Sequence, residues 1–531
     1  MGLIGSNGYN QRRSLSTRWH INPARLPMMS GRPQFGFLRS SWGALPACLE
    51  CILRLFGRKG ACSQRPKRLA VDRTHLSVRF IIDRVRANIQ QARQQQYSGD
   101  HVGPNNWLTL ISAVLDTADG YLSSSKDRGL DEKKRLDHLQ DAAAAAAEAY
   151  GLLMQLEGAD VRDLAFPLVP PLQRWFSELG VTNTSFFRAY LEANYELFPF
   201  ERARFERYRD PSASLRTAID STTWPILRVT VPAKAFSIVP HLAIVAHEIG
   251  HALYWSATWD IRPASAVIEA AVRRIEARLG RPFDTEIQEA TGRVLSNWVQ
   301  EFAADAFMLA LTGPAGFFSL CDFLQFFGSV GGYSRTHPSS HQRRSILFDK
   351  LSSTTAGPSY AQAFRQCTGV ELTSDINSPL LQEPKSSNEI FQSSLMMGHS
   401  PEESAAIAEL YEAMPAVANL LHSQAQQIVA NKAKDLLYTP SRLIEDLEMH
   451  LHPMLESIPP IEKGPSLDDK TSTDLASILN VGWAVMLTKL DELKVRVSGD
   501  SDVQAQRLER LNSLLLKAVE LSEARRTWSS A

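Results

Sequence analysis

The sequence predicts a mainly α-helical protein with one small β element, and three observations predict it. Apolar residues recur at helical spacing from about His75 to Gly180 and again beyond Ser400. Helix stop signals such as Gly313-Pro314 punctuate the long periodic stretches between them. A single segment, Trp224 to Val231, combines β-branched residues with bounding prolines in the manner of a short strand, and an edge strand is expected there.

Residues 1–70 carry twelve Lys or Arg against one carboxylate, Glu50, with little periodicity, so no fixed fold is expected. Their Arg-rich, acid-poor makeup fits a transit peptide, a misplaced start codon or a disordered tail equally well. Residues 71–200 form a helical N-terminal domain in which Phe80, Ile81, Val85 and Ile89 share one helical face. The alanine run Ala142 to Ala147 is flanked by Leu139, Tyr150, Leu153 and Leu156, which makes it a packed helix rather than low complexity.

A central unit over 201–351 follows, with an apolar helix starting near Pro240 and two more helices over Ser265 to Leu279 and Asp284 to Leu311. Residues 352–399 are rich in Ser, Thr, Pro and Gly and read as a linker. Residues 400–531 read as a helical C-terminal domain that opens on Ser400-Pro401-Glu402-Glu403, a capping box with proline at the first helical position. His450 and His452 there are two apart, on different faces of a helix, and are expected at the surface.

Composition excludes some functions. Lys plus Arg equals Asp plus Glu at 57 each, and the basic N-terminus interleaves no aromatic residues on a folded unit, so no nucleic-acid partner is expected. The apolar stretch Ala235 to Trp255 contains three His and Glu248, so no transmembrane segment is expected and the protein reads as soluble. Five unevenly spread cysteines fit a reduced compartment, the cytoplasm by default, with an organelle as the alternative if the basic N-terminus is a targeting segment. Cys48 and Cys51 form a CxxC that lacks a suitably spaced fourth ligand for a structural zinc.

The chemistry concentrates in His247-Glu248-Ile249-Gly250-His251, an HExxH pattern that sets two imidazoles one helical turn apart on one face. The helix before it is apolar, from Leu242 to Ala246, and burying two histidines and a glutamate on it is costly unless they serve one metal ion. A catalytic zinc takes three protein ligands, and Glu301 is the best candidate for the third. Glu301 and Asp305 again lie one turn apart, so Glu301 can ligate while Asp305 accepts the outward N–H of a ligand histidine. Ala246, Gly250, Ala303 and Ala304 are small enough to let the two helices approach.

This arrangement, with Thr336-His337-Pro338 and Arg343 beyond it, resembles the gluzincin peptidases of the HtpX and CAAX prenyl protease type, which pair HExxH with a downstream ExxxD. The resemblance covers about residues 224–350 and leaves both helical flanks unexplained. It implies a zincin-like metallopeptidase core, one zinc ion per chain, and an edge strand that pairs with extended substrate, placed at Ile226 to Val231. Many such peptidases have transmembrane helices beside the site and this chain shows none, so the expected substrate is an unfolded or exposed polypeptide.

The expected activity is that of an endopeptidase in which a zinc-activated water attacks the peptide bond and Glu248 is the general base. His337 is the first choice to stabilise the oxyanion, with Arg343 and Tyr333 as alternatives. A zinc-bearing scaffold that engages a partner protein through its helical flanks is the alternative, and the intact Glu248 argues against it, since a scaffold needs no base.

Overall fold

The structure is a computed structural model that describes residues 64–97, 102–127, 129–159, 166–181, 185–190, 195–232, 239–256, 259–326, 334–353, 357–372, 386–461, 472–495 and 502–530. Most of the basic segment, the CxxC and Tyr333 lie outside the described residues. The protein is mainly helical with one small three-stranded sheet, as its periodicity predicts.

Three helices, α1 (Gln64–Ala92), α2 (Val102–Ser124) and α3 (Glu132–Leu153), form an N-terminal bundle. On α1 the buried residues include Val78, Ile81, Ile82, Val85 and Ile89, whereas Phe80, expected on that face, is exposed. Ala142, Ala145, Ala146 and Ala149 are buried at helical spacing, so the alanine run of α3 is a packed face. Next come α4 (Val169–Glu178), β1 (Ser185–Tyr190), β2 (Glu196–Phe200), α5 (Arg202–Glu206), α6 (Ala213–Ser221) and β3 (Ile226–Pro232).

The strand expected at residues 226–231 is present, but it is the central strand and not an edge. β3 pairs parallel with β1, Phe187 opposite Val229, and antiparallel with β2, Leu197 opposite Val229. Every residue of β3 is buried, which is what a strand covered on both faces requires. Among the described residues β1 and β2 hold the two edges, and Pro199 of β2, which has no amide hydrogen, suits that place. The sheet separates two cores by simple alternation. Phe186, Phe200 and Ile226 face the bundle and pack around Trp107, while Phe187, Leu197 and Leu227 join the central core.

That central core is built on α7 (Ile244–Ser256), α8 (Ser265–Leu279), α9 (Thr285–Thr312), α10 (Pro314–Phe326) and α11 (Ser340–Ser352). Asp284 caps α9 by accepting from Ile287 N–H, and Gly313 ends it with φ of 54°, a left-handed value that glycine adopts without strain. Residues 352–399 are more than a linker, because α12 (Tyr360–Thr368) and α13 (Ser387–Met396) form within them, each behind a serine cap.

The remaining helices are α14 (Pro401–Tyr411), α15 (Met414–Lys432), α16 (Pro440–Leu455), α17 (Leu475–Ala484) and α18 (Val503–Ser530). They do not build a core of their own. Leu443, Leu479, Trp483 and Leu515 belong to the same hydrophobic cluster as Ala246 and Phe307, and Val417 and Leu421 share another with Trp298 and Phe302. Polar contacts lock the seam: Asn480 donates to Thr312 O and accepts from Ala315 N–H, both within 3.0 Å. Ser400 caps α14 as expected, while the Glu403 side chain turns to Arg293 and Arg335. His450, expected at the surface, is buried, with Thr473 Oγ1 at 3.5 Å.

Candidate metal centre

The site forms where α7 crosses α9, and Gly250 sets the crossing. A Cβ at position 250 would lie 2.7 Å from Ala304 Cα and 2.9 Å from its carbonyl oxygen, so any larger residue pushes the helices apart. Ala303 and Ala304 are fully buried at this contact. Close approach then brings the polar residues of both helices into one buried cluster.

His247, His251 and Glu301 offer donor atoms that all lie within 4.8 Å of one another. His247 Nε2 is 3.5 Å from Glu301 Oε2, and His251 Nε2 is 3.6 Å from Glu301 Oε1. Two donors bound tetrahedrally at ~2.0–2.1 Å from one ion sit about 3.4 Å apart, so this trio needs only small adjustments to hold a metal. The donor set fits: two imidazoles and a carboxylate, one short of tetrahedral closure.

Behind the donors stands a second set of contacts. His247 Nδ1 is 2.9 Å from Asp305 Oδ1, which fixes the ring and leaves Nε2 toward Glu301. Asp305 also accepts from Arg343 Nε at 2.8 Å and Nη2 at 2.6 Å, and Arg343 Nη1 lies 3.2 Å from Glu301 Oε2. Arg343 is buried, and these two carboxylates engage its guanidinium. The Gln300 amide lies 3.2 Å from His251 Nδ1, and with its oxygen turned to the ring it accepts that proton.

The electrostatics follow from burial set against partners. Burial alone would raise Asp305, but Arg343 and His247 outweigh it and hold the carboxyl down to about 2. Glu301 is likewise held well below its ordinary value, chiefly by Arg343 against burial. His247 is pulled down by burial yet raised to about 9 by Asp305 and Glu301. His251 is lowered to about 3, mainly by burial.

Glu248 is different. Burial pushes it up to about 7, and Leu197 N–H of β2 donates a hydrogen bond to it at 2.8 Å. It is a buried carboxyl held beside the donor trio.

These residues open onto a cavity of about 580 Å³ whose walls include Tyr195, which precedes β2, Leu197 from β2, Leu320 and Phe323 from α10, and His337. His337 stands at the mouth, 61% exposed, with Nε2 3.6 Å from Glu301 Oε1. Its loop is tied to α9 by Trp298 Nε1 donating to Ser334 O at 2.9 Å and Asn297 Nδ2 to Arg335 O at 3.0 Å. The structure therefore gathers His247, Glu248, His251, Glu301, Asp305, His337 and Arg343 at one place. Sequence reading missed Tyr195 and Leu197, whose only local signal is the aromatic, proline-bearing stretch Glu196-Leu-Phe-Pro-Phe200.

In comparisons with family models, curated proteins and solved structures, nothing matches this chain. Among the described residues no helix is long and apolar enough to cross a membrane.

Proposed function

We propose that the protein is a zinc-dependent endopeptidase of gluzincin type acting on unfolded or exposed polypeptide. The observation that carries this reading is a His-His-Glu donor trio with a buried, unligated Glu248 beside it, all opening onto one cleft along an edge strand. His247, His251 and Glu301 would hold the ion, which when bound supplies Lewis acidity and an activated water.

The protein's own residues do the rest. Glu248, raised by burial, is suited to accept the water's proton and return it to the leaving amine. Asp305 and Arg343 keep His247 and Glu301 oriented. β2 offers its free edge beside Glu248, so an extended peptide can lie along it by strand addition. His337 at the mouth is placed to contact the substrate carbonyl. Cys321 and Cys367 are free thiols, in keeping with a reducing compartment such as the cytoplasm.

The test is to load purified protein with zinc and incubate it with a panel of unfolded polypeptides, then repeat after chelation and after zinc is restored. Cleavage that disappears and returns with zinc is the expected result. Stoichiometric zinc without turnover would favour the partner-binding scaffold, and failure to bind zinc would contradict both.

A further inference from the structure

In an extended strand the N–H and C=O of one residue point to the same side, and successive residues alternate between the two sides. Leu197 of β2 gives its N–H to Glu248 Oε2 at 2.8 Å, so the backbone groups of residue 197 point away from β3 and toward the candidate site. Glu196, Phe198 and Phe200 then turn their backbone groups to β3, and Leu197 and Pro199 turn theirs to the free edge. The start of the strand borders the cavity, where Glu196 and Leu197 form part of the wall.

An ordinary free edge presents donors and acceptors by turns, which is what lets it template another strand. This edge does not. Leu197 N–H is already held by the Glu248 carboxyl, and a carboxylate is a stronger acceptor than the carbonyl of an incoming peptide. Pro199 has no N–H to offer. What remains is a pair of carbonyl oxygens, those of Leu197 and Pro199, and among the described residues neither takes a hydrogen bond from outside the sheet.

Resting on the proposed peptidase reading, we infer that β2 selects its substrate as an edge that accepts but does not donate. An extended polypeptide docks by giving two of its own N–H groups, from residues two apart, to the carbonyl oxygens of Leu197 and Pro199, and its own carbonyls receive nothing back from the strand. The spacing holds whether the peptide runs parallel or antiparallel to β2, since both ladders repeat every second residue. The substrate class is therefore polypeptide with a free backbone N–H at both places, and a proline or other N-alkylated residue at either one is refused.

The test measures affinity on zinc-loaded Glu248→Gln protein, whose amide oxygen can keep the Leu197 contact, for a peptide that wild type cleaves and for versions of it methylated at one backbone nitrogen at a time. Two methylations, two residues apart, should each weaken binding by about tenfold or more, because each leaves a strand oxygen unpaired, while the one between them should change it by less than about threefold. Pro199→Ala restores an N–H to the edge and should tighten binding of the unmodified peptide by about threefold or more, with unchanged zinc content. Losses at adjacent positions, or at none, would overturn the inference. So would a Pro199→Ala protein that binds peptide as before and only self-associates more, since the proline would then merely guard the edge. Each of these leaves the peptidase reading standing, whereas a zinc-loaded wild type that cleaves no peptide overturns both.

Discussion

In the N-terminal bundle the interior of α1–α3 is Val78, Ile82, Trp107, Leu139 and their neighbours, and charge lies at its margin, where the enclosed Glu148 is engaged by Arg204, Arg207 and Tyr208. Arg86 meets Asp119 at 3.3 Å with the two side chains 41% and 26% exposed. Between α7 and α9 the pattern inverts. His247, Glu248, Glu301, Asp305 and Arg343 are all buried, and Arg343 meets Asp305 at 2.6 Å with side chains 6% and 1% exposed. Taking ions out of water costs several kcal/mol each, and mutual attraction offsets that only in well-formed networks. The bundle follows the pattern of a fold built for stability, whereas the α7–α9 crossing departs from it at a cost in stability, as the proposed metal site would require.

The largest expected effect separates the two regions by charge. Arg343→Met leaves two buried carboxylates uncompensated and is expected to cost about 3–5 kcal/mol of unfolding free energy. Arg86→Met in the bundle removes only a solvated pair and should cost less than about 1 kcal/mol. Urea unfolding of both variants beside wild type measures this, and equal losses would break the comparison.

Packing gives the next contrast. Gly250→Ala drives a methyl group against the backbone of Ala304 and is expected to destabilise by about 1–3 kcal/mol while weakening metal binding. Gly120→Ala on α2 meets nothing within 4 Å and should stabilise, by about 0.5–1 kcal/mol, through helix propensity alone. Thermal unfolding and a chelator competition would show whether the two glycines differ in sign.

The smallest effect is one of pH. In metal-free protein Asp305 and Glu301, working against burial, raise His247 to about 9, above its unfolded value of about 6.5. Its contribution to stability is then complete below pH ~6.5 and is lost as pH rises toward 9. Glu248, raised to about 7, is half ionised at pH 7 and has finished titrating by about pH 8, so the loss that belongs to His247 in chelator-treated protein is read between pH 8 and 9. Zinc-loaded protein, in which the ring has already given up that proton, should not. A flat urea midpoint across this range in the chelated protein would show that His247 is neutral there.

The sequence made the local half of this picture legible. Spacing alone put His247 with His251 and Glu301 with Asp305 on shared helix faces, and the small residues at 250, 303 and 304 announced the close crossing. Caps and stops placed α8, α9 and α14 almost to the residue. What depended on distant partners was not legible. Ile226 to Val231 looks like any β-branched strand, and nothing in those residues says that β1 and β2 will flank it. His450 is buried only because residues far along the chain cover it, and α16–α18 lie in the central core because α9 and α10 present apolar faces to them. Tyr195 and Leu197 went unnoticed for the same reason: the cavity they line is completed by α7 and α10, which the chain reaches dozens of residues later.

The most direct test of the central claim compares wild type with Glu248→Gln, a change that keeps the metal donors and removes the base. Both proteins should bind zinc stoichiometrically, and only wild type should hydrolyse peptides. Equal peptide turnover by the two would contradict the role given to Glu248, and absence of zinc from both would contradict the metal centre itself.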